Sequence, residues 1–185
     1  MEISKAQADM RHAYYGGATG LLASAAVWSV AAAVAYVNSP GRAVWALVVG
    51  GMLIHPAAML IAKLLGRPGT HTPGNPLAPL ALEGTAFFLL GIPLALGLTR
   101  VQPAWFFPAM LLLIGGRYLT FATLYGRRAF WMCGALLAGA GMLAWMAHAP
   151  AWATALASAG IEAAFTVVMA SGERRSTQLV AAQAS

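Results

Sequence analysis

Six apolar runs, each about 19 to 24 residues long, take up most of this chain. A helix needs a run of that length to cross a hydrocarbon core about 30 Å thick. The runs lie near Tyr14–Val37, Ala43–Leu65, Leu77–Leu98, Ala104–Tyr125, Ala129–Ala147 and Ala151–Ser171, separated by charged or Pro/Gly-rich breaks. The pattern predicts an all-α polytopic integral membrane protein, a bundle of six transmembrane helices forming one domain over residues 14–171. Residues 1–13 precede it and a tail, residues 172–185, follows it. Composition excludes a water-soluble fold: 60% of the residues are hydrophobic and 9% are charged, against about 25% charged in ordinary soluble domains.

Six spans place both termini on one side of the membrane, and the distribution of Lys and Arg chooses that side. Lys5, Arg11, Lys63, Arg67, Arg127, Arg128, Arg174 and Arg175 fall on the side of the termini; only Arg42 and Arg100 fall on the other. Both termini are therefore expected to be cytoplasmic. The aromatic residues fit two interfacial belts, with Tyr36, Trp45, Trp105, Phe106, Phe107, Trp145 and Trp152 at the outer ends and Tyr14, Tyr15, Tyr125 and Trp131 at the inner ones. The first run follows Lys5 and Arg11 as a signal peptide would, but it is too long for a typical signal-peptide core. The net charge of +6 comes from basic residues scattered in ones and twos beside the spans, which is a topology signal and not a nucleic-acid-binding face.

Four ionisable side chains, His55, Glu83, Arg117 and Glu162, lie inside the apolar runs. A charge near the bilayer centre costs about 2.5–3.5 kcal/mol on insertion scales, so such groups need partners or water within the protein. At a rise of about 1.5 Å per residue, all four sit about 9–15 Å above the inner boundary, as one layer. The short third connection makes the third and fourth spans antiparallel neighbours, so Glu83 is expected to pair with Arg117, where Gly115-Gly116 leaves space and Tyr118 and Thr120 offer hydroxyls. Thr154, Ser158, Glu162 and Thr166 recur at helical spacing, which turns one face of the sixth span polar and inward. Two carboxylates against one arginine leave a surplus negative charge, which a proton on Glu162 removes at least cost. The candidate binding residues are therefore Glu162, Glu83, Arg117, His55, Ser158 and Tyr118.

Other marks read as structural. Gly16, Gly20 and Ser24 form a small-xxx-small pattern suited to close helix packing or self-association. Pro56, Pro93 and Pro108 interrupt spans, and His55 beside Pro56 can bond a carbonyl freed by the kink. Asn75-Pro76 reads as a helix start within the longest connection, Gly66–Pro76. Cys133 reads as a small packing residue, and His71 has no companion at ligand spacing, so neither a metal site nor a cofactor is proposed.

Gly74-Asn75-Pro76-Leu77, the Phe87-Phe88 run toward Pro93, Pro103, and Gly116-Arg117-Tyr118 leading to Leu124-Tyr125-Gly126 together give the chain a further aspect. In these motifs it resembles an uncharacterised family of small bacterial multi-spanning membrane proteins, a domain of unknown function. The resemblance implies a bacterial inner-membrane protein and supplies no catalytic or binding residues.

The function that follows from the residues is a small transporter or channel-like protein in which Glu162 titrates, Glu83 and Arg117 support it, and His55 relays or tunes the proton. The alternatives are a non-catalytic membrane interaction or assembly protein whose charged layer fixes helix register, and an intramembrane enzyme or carrier acting on a lipid. No catalytic motif favours an enzyme. The expected partners are the lipid bilayer, a small-molecule, ion or lipid ligand, and a second copy of the chain, with no nucleic acid.

Overall fold

A computed structural model describes residues 2–183. The described residues are all-α, without strands. An amphipathic helix, α1 (Ile3–Ala13), precedes α2 (Ala18–Val37), α3 (Pro40–Leu64), α4 (Ala78–Leu98), α5 (Phe106–Tyr125), α6 (Ala129–Met146) and α7 (Ala151–Gln183). Six of these are long and apolar enough to cross a membrane, and their limits fall within a few residues of the predicted spans. The largest difference is at the end of α7, which continues as helix through residues assigned to the tail. Nothing in Ser171–Gln183 forces a break, because no proline or helix-ending glycine pair interrupts it.

The bundle is built as two rows. In one, α2 lies between α3 and α7; in the other, α5 lies between α4 and α6, and the rows join where α6 meets α7. α2 and α5 are accordingly the most enclosed spans, whereas α3 and α4 each lean chiefly on one neighbour and turn most of their surface outward. The shared core is aromatic: Trp28, Phe106, Phe107 and Phe130 are fully buried, with Leu111, Leu137 and Met169 between the helices. Phe106 and Phe107 thus do not belong to the outer aromatic belt, because the first turn of α5 points them inward, where Phe107 meets Trp28 at 6.4 Å. Tyr36, Trp45 and Trp152 do lie at the outer surface, and Trp105 packs on Trp145 at 4.8 Å.

Close approach of α5 and α6 rests on missing side chains. A Cβ on Gly115 would lie 2.7 Å from the Gly134 carbonyl oxygen, and one on Gly134 would lie 2.6 Å from that of Gly115. The expected Gly16-Gly20-Ser24 seam is not used in this way. Gly16 belongs to the turn between α1 and α2 at a left-handed φ of 63°, and Gly20 faces open space. Gly16 and Gly17 instead let the chain turn from α1 into the first span, where Cβ atoms would strike Glu173 and Phe130.

On the side of the termini, α1 buries Ala6, Met10 and Ala13 at helical spacing against Leu77, Leu124, Phe121 and Tyr125. The connection before α4 is tied to it. Asp9 accepts hydrogen bonds from the Thr72 N–H at 3.0 Å, the Thr72 hydroxyl at 2.7 Å and the Asn75 amide at 2.7 Å. Asn75 also accepts from the Leu77 N–H, as a residue starting a helix does. Arg11 donates to the Tyr125 carbonyl, Gln7 to that of Thr123, and Arg127 pairs with Glu173 of α7. Burial pushes the Asp9 carboxyl pKa up, but the bonds from Thr72 and Asn75 outweigh it and hold the group below its ordinary value.

Two outcomes follow. Gly115→Val is expected to lower stability by about 1–3 kcal/mol through overpacking, while Gly116→Ala, which meets open space, leaves it unchanged; thermal unfolding in detergent measures both. Because the folded pKa of Asp9 is depressed, its stabilising contribution is complete above the ordinary aspartate value of about 3.9 and is lost as pH falls through the folded value. Hydrogen exchange of α1 amides should therefore accelerate in strong acid for the natural protein, and already at neutral pH for Asp9→Ala.

Candidate functional site: a carboxyl group at the centre of the bundle

The polar face of α7 points inward as its spacing requires. Thr154, Ser158 and Glu162 are all buried, the last with no exposed surface. Thr154 and Thr166 spend their hydroxyls on carbonyls one turn back, those of Pro150 and Glu162. Glu162 is left to find its partners across the helix interfaces. The Tyr118 hydroxyl of α5 donates to Oε1 at 2.8 Å, and Ser24 of α2 and Cys133 of α6 lie close by. The second oxygen, Oε2, has no hydrogen-bond partner among the described residues, and neither has the buried hydroxyl of Ser158. Four helices, α2, α5, α6 and α7, thus converge on one carboxyl group.

Of the six predicted binding residues, the structure brings together Glu162, Tyr118 and Ser158 and sets the other three apart. Glu83 is exposed on α4, and its expected ion pair with Arg117 does not form: among the described residues the ion pair within 4 Å is Arg127–Glu173. The reason is rotation about the helix axis and not depth. Arg117 reaches Thr85 of α4, and two residues of helix turn through about 200°, so Glu83 leaves from nearly the opposite face. His55 is exposed on α3 and makes no hydrogen bond among the described residues, so it neither joins the layer nor caps a carbonyl beside Pro56. Arg117 lies at the edge of the bundle, its guanidinium 5.2 Å from the Phe88 ring and 5.3 Å from the Phe121 ring.

Sequence reasoning missed Ser24 and Cys133 as neighbours of the carboxyl. Ser24 sat in a pattern read as packing, and a lone cysteine in an apolar run carries no signal of its own. Depth was a clue for Ser24, ten residues from Tyr14 as Glu162 is nine from Ser171, but not for Cys133, only four residues from Ala129.

The fold and this centre define a six-helix integral membrane protein with an uncompensated carboxyl group in its interior. A family profile matches residues 3–171, nearly the whole chain, and the protein belongs to that family, described as a family of unknown function (DUF7010). No curated protein and no solved structure matches it.

Removing the donor tests whether the contact holds the bundle. Tyr118→Phe is expected to lower stability by about 1–3 kcal/mol, the cost of leaving a buried polar group without its partner. His55→Ala and Glu83→Gln, on exposed flanks, should stay within about 0.5 kcal/mol of the natural protein. Equal effects in thermal unfolding would contradict the placement of these residues.

Proposed function

We propose that this protein is a small transporter or channel-like protein of the bacterial inner membrane, with both termini in the cytoplasm, and that Glu162 is its proton-carrying group. The observation that carries this reading is the buried carboxyl with one oxygen bonded to Tyr118 and the other without a partner among the described residues. No arginine, lysine or histidine is paired with it among the described residues. In a site of this kind an ionised carboxylate lacks compensation, and the neutral acid or a cation-bound form is the stable one. Ionisation therefore requires that helices part or that a cation or water enter, which couples protonation to conformation.

The placement of the proline-containing spans at the rim supports the same reading. α3 and α4 are the least enclosed spans, and each carries an internal proline, Pro56 and Pro93. Helices with an interrupted backbone ladder and a single main neighbour can shift without dismantling the core. The cytoplasmic orientation is supported by the eight Lys and Arg residues on the side of the termini against two on the other.

A second reading is favoured by the enclosure of Glu162, which has no exposed surface: the Tyr118 contact fixes the register of α5 against α7 and does nothing more. Proteoliposomes separate the two. Under the first reading Glu162→Gln keeps the fold and removes pH-dependent proton or solute flux, while Glu162→Asp retains part of it. Unchanged flux and pH dependence in Glu162→Gln, accompanied by lower stability, would leave only the structural role.

A further inference from the structure

Arg117 is the single lysine or arginine placed within the apolar interior of a span, and among the described residues it pairs with no carboxylate. Its Nη2 donates to the Thr85 hydroxyl at 3.1 Å, while its buried Nε–H has no partner among the described residues. Phe88 and Phe121 hold the guanidinium plane between them at cation–π distances. Such a group is held in place, yet no carboxylate among the described residues answers its charge.

Beside it runs a groove of about 270 Å³ between α4 and α5, lined by Gly84, Phe87, Leu112, Leu113, Gly116 and Thr120 together with Arg117 and Phe88. Its lining is mainly apolar, and the strongly exposed Phe87 places its mouth on the outer, lipid-facing surface. Its depth follows from the helix ends. Thr85 lies seven residues into α4 and Phe121 four before the end of α5, so the guanidinium sits about 6–10 Å inside the helix ends. α4 and α5 are each about as long as the hydrocarbon core is thick, so the guanidinium lies just inside the apolar layer on the side of the termini, and a lipid phosphate reaches it by being drawn into the groove.

We propose that this groove binds an anionic phospholipid from the leaflet on the side of the termini, with its phosphate on Arg117 and one acyl chain between α4 and α5. Charge complementarity selects the headgroup. The guanidinium makes no ion pair among the described residues, and its Nη groups are the donors it offers to a phosphate. The one acidic residue on α4 and α5 is Glu83, which makes no ion pair with Arg117 among the described residues, so the guanidinium is left to answer the phosphate. The site is separate from Glu162: Arg117 and Tyr118 are consecutive, and one turns outward while the other turns to the core.

The test is native mass spectrometry of the full chain in neutral detergent, offered phosphatidylglycerol, phosphatidylcholine, diacylglycerol or inorganic phosphate. The expected result is one retained phosphatidylglycerol, preferred about tenfold over phosphatidylcholine, with no retention of diacylglycerol. Arg117→Gln should abolish the preference. Gly116→Leu should also abolish it, because a Cβ there meets open space and the longer side chain fills the groove while keeping the guanidinium. Arg128→Gln, on the exposed surface nearby, should leave it intact. If Arg117→Gln does not fold, Gly116→Leu decides. Equal binding of the two phospholipids, retention of the preference in a folded Gly116→Leu, its loss in Arg128→Gln, or equal competition by inorganic phosphate would overturn the proposal. A dimer that pairs Arg117 with Glu83 of a second copy and excludes lipid would overturn it as well.

Discussion

The hydrogen bond between Tyr118 and Glu162 joins the two rows of helices near the middle of the bundle, and much of the arrangement around it follows from the need to keep that carboxyl group out of lipid. Water is not available to satisfy a polar group at this depth, so the protein must do so or keep the group neutral. α5 supplies the donor, α7 the acceptor, and α2 and α6 close the remaining sides with Ser24 and Cys133. The Gly115–Gly134 crossing brings α6 close enough to α5 for this enclosure. Hydroxyls on α7 that could compete for the carboxyl, those of Thr154 and Thr166, are instead bonded to their own helix.

The same fold separates charge by the rotation of one helix. Arg117 and Tyr118 differ by about 100° around α5, so the cation goes to a peripheral groove and the phenol to the core. An arginine beside Glu162 would have made a stable ion pair with little reason to change protonation. With the arginine elsewhere, the carboxyl is free for the proposed exchange of a proton or cation, and the guanidinium for the proposed lipid. The clasp formed by α1 and the connection before α4 covers the same end of the bundle, holding Leu77, Leu124 and Phe121 in place below the groove.

The fold was largely legible in the sequence because hydrophobic length is a strong constraint in lipid: Tyr14–Val37 was predicted and the apolar helix spans Tyr15–Val37. The inward polar face of α7 was legible for the same reason, since Thr154, Ser158 and Glu162 cannot face lipid together without penalty. What was not legible was azimuth across helices. Glu83, His55 and Arg117 share depth with Glu162, but shared depth does not bring side chains together when α3 and α4 stand at the rim. Phe106 and Phe107 show the same effect: position in the chain suggested an interface, and the rotation of the first turn of α5 sent both rings into the core. The terminal clasp could not be read either, because its bonds join Asp9 to Thr72 and Asn75, more than sixty residues away.

The central claim is that Glu162 holds a proton within the closed bundle and can release it. Infrared difference spectroscopy of the protein in lipid, recorded across a pH titration, measures this directly. A protonated carboxyl band is expected that gives way to a carboxylate band as pH rises, is absent in Glu162→Gln, and moves to higher frequency in Tyr118→Phe as its hydrogen bond is lost. A carboxylate signal from Glu162 at every pH, or a protonated band that survives Glu162→Gln unchanged, would contradict it.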